Sequence, residues 1–150
     1  MKSLKKVQTH LLAECFNKLF IGGQFVDPID GEKFPTYYPA TGELLHELPN
    51  GKAKDVEEAI SSAVDAWAEG TWADMSAADR AEIVFKISQG IEDNLEMLAE
   101  IEAADVGKPY RQAAKVMDGA ASEGKYWCSL GKVLDADQDK PVNSGGGKGG

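Results

Sequence analysis

A helix needs a start, a sided stripe and a stop, and residues 76–109, SAADRAEIVFKISQGIEDNLEMLAEIEAADVGKP, carry all three. Ser76 with Asp79 three residues on makes a capping-box-like start, since both side chains can satisfy free backbone N–H groups. Ile83, Val84, Ile87 and Ile91, then Leu95, Leu98 and Ile101, recur at steps of three and four, which puts them on one face. Gly107 supplies a left-handed cap, and Pro109 cannot continue the same helix. Glu92-Asp93-Asn94 groups three residues that suit caps and first turns, so two packed helices are expected rather than one rod. Taken alone, the stretch is a core helix pair without chemistry. Its stripe needs a partner surface.

A chain of 150 residues fits one domain able to bury roughly two-thirds of its unfolded surface. With 43% hydrophobic and 27% charged residues the composition is that of a soluble globular protein, and no apolar run approaches membrane-spanning length. A net charge of −9, with no basic cluster beyond Lys5-Lys6, argues against a nucleic-acid partner. Cys15 and Cys128 are too few for a disulfide framework and show no metal-ligand spacing, so a reducing compartment, the cytoplasm, is the default. Residues 1–18 have too short an apolar patch for a signal peptide. Lys2, Lys5 and Lys6 would suit an organellar presequence, but arginine is absent and serine scarce; the segment reads as a frayed, partly helical extension.

From there the chain reads as strands and then helices. Leu19–Val26 is a strand with a glycine break at Gly22-Gly23, Lys33–Tyr38 a second strand and Glu43–Leu48 a third, separated by Asp- and Pro-Gly-type turns. Pro35, Pro39 and Pro49 push these strands towards sheet edges, where they must lie against helices or pair beyond this chain. Ala53–Glu69 is a helix with Val56, Ala59, Ile60, Ala63, Val64 and Trp67 as its buried face and Asp55, Glu57 and Glu58 at its positive end. Tyr110 to about Val133 is a further helical region whose apolar face is Ala113, Met117, Ala120, Ala121, Tyr126 and Trp127. Gly119, Gly124 and Gly131 each weaken it by nearly ~1 kcal/mol relative to alanine. Asp135–Lys140 is a charged linker, and PVNSGGGKGG has no reason to fold.

No catalytic constellation emerges from spacing. Ser144-Gly145-Gly146-Gly147-Lys148 lacks the preceding strand, the Ser or Thr after the Lys, and the following helix that a phosphate loop requires. Cys128, mid-helix beside Trp127, has the setting of inert packing. His10 and His46 lie far apart in sequence, and neither has a nearby acid with triad-like logic. The acidic run Glu92, Asp93, Glu96, Glu100, Glu102 is a solvated helix face. Asp105 differs: it ends the helix beside the Gly-Lys-Pro turn, where a carboxylate and turn carbonyls could bind a cation.

Several landmarks then fall in a familiar order: Leu19-Phe20-Ile21-Gly22-Gly23, Phe34-Pro35-Thr36-Tyr37-Tyr38-Pro39-Ala40-Thr41-Gly42-Glu43, Asp55-Val56 with its alanine-rich helix, Trp72, Ser76, Arg80, and Asp105-Val106-Gly107-Lys108-Pro109. Together they resemble the N-terminal part of the NAD(P)-dependent aldehyde dehydrogenases, and Leu134–Val142 looks most like the betaine-aldehyde and aminoaldehyde branch. The resemblance implies an α/β family fold in which this chain is mainly helical, with short edge strands and without the Rossmann-like sheet. Residues 1–18 would be an extension, 19–142 the first part of the NAD-binding domain and 143–150 a flexible tail. The family's catalytic cysteine, general-base glutamate and cofactor-binding residues have no matching position here, so no catalytic or cofactor-binding residue is carried over. What carries over is a monovalent-cation site at Asp105 with the backbone near Thr36 and Tyr37, where Tyr38 replaces the usual asparagine. Asp118 would mark the substrate entrance, while Val116 and Gly119 depart from the branch pattern. The implied activity is aldehyde oxidation with NAD or NADP in the full-length family, with no cofactor bound by this chain alone. Its partner would be the remainder of such an enzyme or a homo-oligomer, with neither nucleic acid nor membrane. The alternative is a non-catalytic structural or interaction module derived from the family.

Overall fold

The computed structural model describes residues 4–11 and 17–138. Cys15, the Ser144–Lys148 segment and the Gly-rich tail lie outside them. In order, the elements are α1 (Leu4–His10), β1 (Leu19–Ile21), β2 (Gln24–Val26), β3 (Lys33–Tyr37), β4 (Leu44–Pro49), α2 (Ala53–Ala68), α3 (Ala77–Asp93), α4 (Leu95–Val106) and α5 (Tyr110–Gln138). Among the described residues the strands form two separate two-stranded antiparallel sheets, and no large sheet is present.

The expected single strand over Leu19–Val26 is instead a hairpin. Gly22 and Gly23 both take positive φ, 60° and 77°, the pattern of a two-residue turn that only glycine adopts freely, and it folds Phe20 back opposite Phe25. The second hairpin pairs Lys33 with Pro49 through Thr36 with His46, and a register shift between Thr36 and Tyr37 then brings Tyr37 opposite Leu44. Both hairpins have edges on each side, which is where their prolines are tolerated.

The helix boundaries follow local chemistry. The Ser76 Oγ accepts from the Asp79 N–H at 3.1 Å and donates to its carboxylate at 2.8 Å. The break after Asp93 is real: Asn94 turns the chain, its side chain donating to the Gly90 carbonyl at 2.9 Å. Gly107 ends α4 at φ 70°, and a Cβ there would press on Pro39 at 3.3 Å. Asp55, at the third position of α2, accepts from the Lys52 N–H at 2.7 Å and from the Ile29 N–H at 2.9 Å, fastening helix start to preceding loop.

Packing departs furthest from the periodic expectation. The most extensive helix contact is α3 against α5, and its buried residues are small: Ala81 and Ser88 on α3, Ala121 and Cys128 on α5. A Cβ on Gly124 would overlap the Ser88 hydroxyl, and one on Gly131 would sit 3.3 Å from the Ala81 Cβ. Two of the three glycines that weaken α5 in isolation, Gly124 and Gly131, are what let the two helices approach, whereas Gly119 faces open space. As a consequence Ile87 of the predicted stripe and Tyr126 and Trp127 of α5 are exposed rather than buried. α5 also runs through Asp135 to Gln138, where a linker was expected.

Two further corrections concern the ends of the layer. α1 is not frayed: Val7 and the following Leu11 are buried with Tyr38, Leu45 and Ala104 in one cluster, flanked by Leu4 and Ile101. α2 is the reverse case. It meets the rest of the described structure through β1 and the loop at its start, and Val56, Ile60 (58%), Val64 and Trp67 (72%) face solvent. No large side chain is fully buried among the described residues: the helix contacts are alanine-rich, the cluster around Val7, Leu11, Tyr38 and Leu45 is the larger-residue part of the core, and many other large apolar groups are exposed.

The close α3–α5 contact predicts that Gly124→Ala destabilises the chain by about 1–2 kcal/mol despite the gain in helix propensity, because the added methyl must displace Ser88. In a Ser88→Ala background the same change should cost less, a coupling of about 0.5 kcal/mol or more in a urea-denaturation cycle; strict additivity would refute the contact. The two N–H donors on Asp55, Lys52 first and Ile29 second, hold its carboxyl below the usual carboxylate value against an opposing effect of burial. The unfolded chain therefore takes up this proton at higher pH than the folded one, so the stabilisation is present above about pH 4 and is lost as pH falls through the lowered value. Urea midpoints from about pH 7 down to about pH 3 should show the deficit of Asp55→Asn relative to the parent shrinking on acidification. A deficit independent of pH would contradict this assignment.

Candidate functional site

The candidate cation corner is formed by the end of α4 and the turn of the second hairpin. Tyr38 and Ala104 share the buried cluster, and Gly107 abuts Pro39, so Asp105 and the Thr36–Tyr37 segment belong to neighbouring elements. Asp105 is exposed, Thr36 half-buried and Tyr37 exposed. The Thr36 hydroxyl is directed to the His46 carbonyl at 3.4 Å, and the Tyr38 carbonyl already accepts the N–H groups of Thr41 and Gly42 at 3.2 and 2.8 Å. Lys108 turns back to Glu102 at 2.6 Å, which draws the Gly-Lys-Pro turn against α4. What this corner can offer a monovalent cation is one carboxylate and main-chain carbonyls, a hard oxygen set. Among the described residues, no three or more His, Cys, Asp or Glu side chains gather as a metal site.

Asp118 lies apart from that corner. It is exposed on α5, in a shallow depression with Leu95, Tyr110, Arg111, Ala114 and Lys115. Cys128 is buried on α5 where that helix meets α3, so its sulfur has no open approach for a substrate carbonyl. His46 points its Nε2 to the Asn17 Oδ1 at 3.0 Å, and burial, then the Lys33 charge, lowers its pKa.

The group that spacing misplaced is Glu100. Instead of joining a solvated acidic face it is 6% exposed, with Lys6 Nζ 3.0 Å from its Oε2 and 3.1 Å from its Oε1, and His10 Nε2 3.3 Å from Oε2. All three contacts cross some ninety positions of sequence, and α1 itself was not read as a packed helix. The sole hint was Ala99 and Ala104 on the same turns, small residues that let a second helix sit close. Beside this cluster α1, α4, Tyr38 and Tyr110 enclose a cavity of about 300 Å³.

The sequence profile of the aldehyde dehydrogenase family matches residues 25–148. The mitochondrial benzaldehyde dehydrogenase of Antirrhinum majus is 40% identical over 101 residues, covering 67% of this chain and 19% of that protein. The chloroplastic betaine aldehyde dehydrogenase of Amaranthus hypochondriacus is 34% identical over 128 residues, covering 83% of this chain and 26% of its own length. The chain thus spans about a quarter or less of the length of these relatives. A crystal structure of a betaine aldehyde dehydrogenase double mutant from Staphylococcus aureus, in complex with NAD+, superposes with a TM-score of 0.82 at 24% identity. The match covers 94% of this chain and 28% of that one, a likeness of fold. The order of edge hairpins and covering helices is therefore an inherited arrangement, and the chain belongs to the aldehyde dehydrogenase family.

Proposed function

We propose that residues 19–142 form the N-terminal part of an aldehyde dehydrogenase NAD-binding domain, and that the 150-residue chain alone is catalytically silent. The whole protein's reaction would be oxidation of an aldehyde to a carboxylic acid by NAD or NADP through a cysteine thiohemiacetal. One observation carries this reading: Val56, Ile60, Val64 and Trp67 make a helix face that nothing in the described structure covers. Such a stripe is built to lie on a sheet. The partner is the remainder of such an enzyme, or further copies of it, and its NAD(P) site and nucleophile lie in that remainder. In this assignment Asp105 with the Thr36–Tyr37 backbone holds a structural monovalent cation, and Asp118 stands near the entrance for a betaine-aldehyde or aminoaldehyde type of substrate. No described helix is long and apolar enough to cross a membrane, and a reducing compartment, cytoplasm or organelle, suits the free thiol of Cys128.

A second reading is favoured by the alanine core: Ala99, Ala113 and Ala121 are fully buried, so α3, α4 and α5 pack without the missing sheet. On that reading the chain is a non-catalytic module whose open faces bind another protein.

Purified chain incubated with NAD or NADP and betaine aldehyde, aminoaldehyde or benzaldehyde should form no reduced cofactor; turnover of any of them would overturn the proposal. The open α2 face should bind a hydrophobic dye, and the double change Ile60→Ser and Trp67→Ser should lower that binding while moving unfolding free energy by no more than about 0.5 kcal/mol per site. A large loss of stability would mean that the face is covered within the chain.

A further inference from the structure

The chain holds one Asn-Gly pair, Asn50-Gly51, and the fold places it in the short joint between β4 and α2. Asn50 follows the last residue of β4, and its N–H donates to the Glu32 carbonyl at 2.9 Å. That bond holds Asn50 from one side only. Its side-chain amide lies 3.5 Å from Glu32 Oε2, the outer limit of a hydrogen bond, and that oxygen is already taken by Lys52 Nζ at 2.7 Å. On the other side Gly51 is exposed, and among the described residues its N–H donates to no acceptor. Gly51 has no Cβ to hinder its nitrogen from meeting the Asn50 carboxamide. A loosely held carboxamide therefore precedes a free, unhindered backbone N–H.

We propose that Asn50-Gly51 is a self-modifying site, and that its spontaneous deamidation loosens the joint carrying α2. Hydroxide removes the Gly51 amide proton, and the nitrogen attacks Asn50 Cγ. A new N–Cγ bond closes a cyclic imide, the Cγ–Nδ2 bond breaks, and Nδ2 leaves as ammonia with its further proton drawn from water. Water then opens the ring. Breaking the N–Cγ bond leaves aspartate; breaking the bond from the Gly51 nitrogen to the Asn50 main-chain carbonyl leaves isoaspartate, with the chain now running through Cγ. In sum a water is consumed and an ammonia released, without any change of oxidation state. Both products place a carboxylate where the amide stood, against Glu32, and the two acids then share Lys52. Isoaspartate also lengthens the main chain by one carbon just before Lys52, whose N–H donates to Asp55 at 2.7 Å and closes the start of α2.

The test incubates the complete chain at neutral and mildly alkaline pH and follows the tryptic peptide ending at Lys52. That peptide should gain about 1 Da and split into two chromatographic forms, isoaspartate the larger, at a rate that rises with hydroxide. Conversion should be at least about tenfold faster than at Asn17 or Asn94, and unfolding in urea should speed it by no more than about tenfold. Gly51→Ala should slow it about tenfold or more. A Cβ there would meet Leu19 at 3.5 Å and Asp55 at 3.9 Å, ordinary contacts that the fold accommodates, and an unchanged urea midpoint confirms this. In the converted chain, separated by its extra negative charge, hydrogen exchange at the Lys52 amide should quicken about tenfold while α3 and α5 keep their protection. Conversion no faster than at Asn17 and Asn94, a larger acceleration in urea, an undiminished rate in Gly51→Ala, or unchanged exchange at Lys52 would overturn the proposal.

Discussion

The structure depends on how closely α3 can approach α5. A methyl on Gly124 would overlap the Ser88 hydroxyl, and one on Gly131 would crowd the Ala81 Cβ at 3.3 Å. Once the backbones are that close, dispersion contacts come from alanine and backbone atoms rather than from large side chains. This choice has a consequence for the rest of the layer. A helix pair that buries its small faces must turn its large apolar residues elsewhere, and Phe85, Ile87, Tyr126 and Trp127 all face outward. On α2 too the large apolar residues are open, from Val56 to Trp67 over about three turns. The inner faces of α3 and α5 hold them to one another, and large apolar residues on their outer faces stand open in the described structure.

Around that pair, polar contacts attach the peripheral pieces. Asp55 fastens α2 to the loop before it through two backbone N–H groups, and the Glu32–Lys52 ion pair at 2.7 Å strengthens the same junction, each partner shifting the other's titration towards its charged form. That pair is solvent-exposed, so screening keeps its contribution modest. At the opposite end Glu100 is buried among Lys6 and His10, and α1 is held to α4 by charge as well as by Val7 and Leu11. A buried carboxylate is costly unless paired, which makes this cluster a specifier of where α1 sits more than a source of stability. The first α1 turns thereby become one wall of the cavity.

Much of the element plan was legible from local chemistry. The Ser76–Asp79 cap, the Asn94 break and the left-handed Gly107 are decided by a few neighbouring residues, so one segment carries all the necessary information. What could not be read was which face of each helix finds a partner. A stripe of isoleucines says that a surface is wanted somewhere; it does not say whether that surface is in the same chain. Gly124 read as a weakness because helix propensity is local, whereas its value lies in a contact with Ser88 thirty-six positions away. Glu100 read as a surface acid for the same reason. The family landmarks were recognisable as an ordered set, Gly22-Gly23 through Lys108-Pro109.

The sequence by itself determined the Ser76 cap, the Asn94 break and the Gly107 stop, and with them much of the family likeness, because each is a short-range preference of the backbone that neighbouring side chains express. Only the tertiary structure decided that α3 and α5 meet through small residues, that the apolar face of α2 stays open in the described structure, and that Glu100 is buried against α1. Those outcomes depend on how near two backbones can come and on which charges meet across the fold, distances that no local pattern encodes. The stretch 76–109 shows both sides: its ends follow from Ser76 and Gly107, while its inner face was chosen by the glycines of α5.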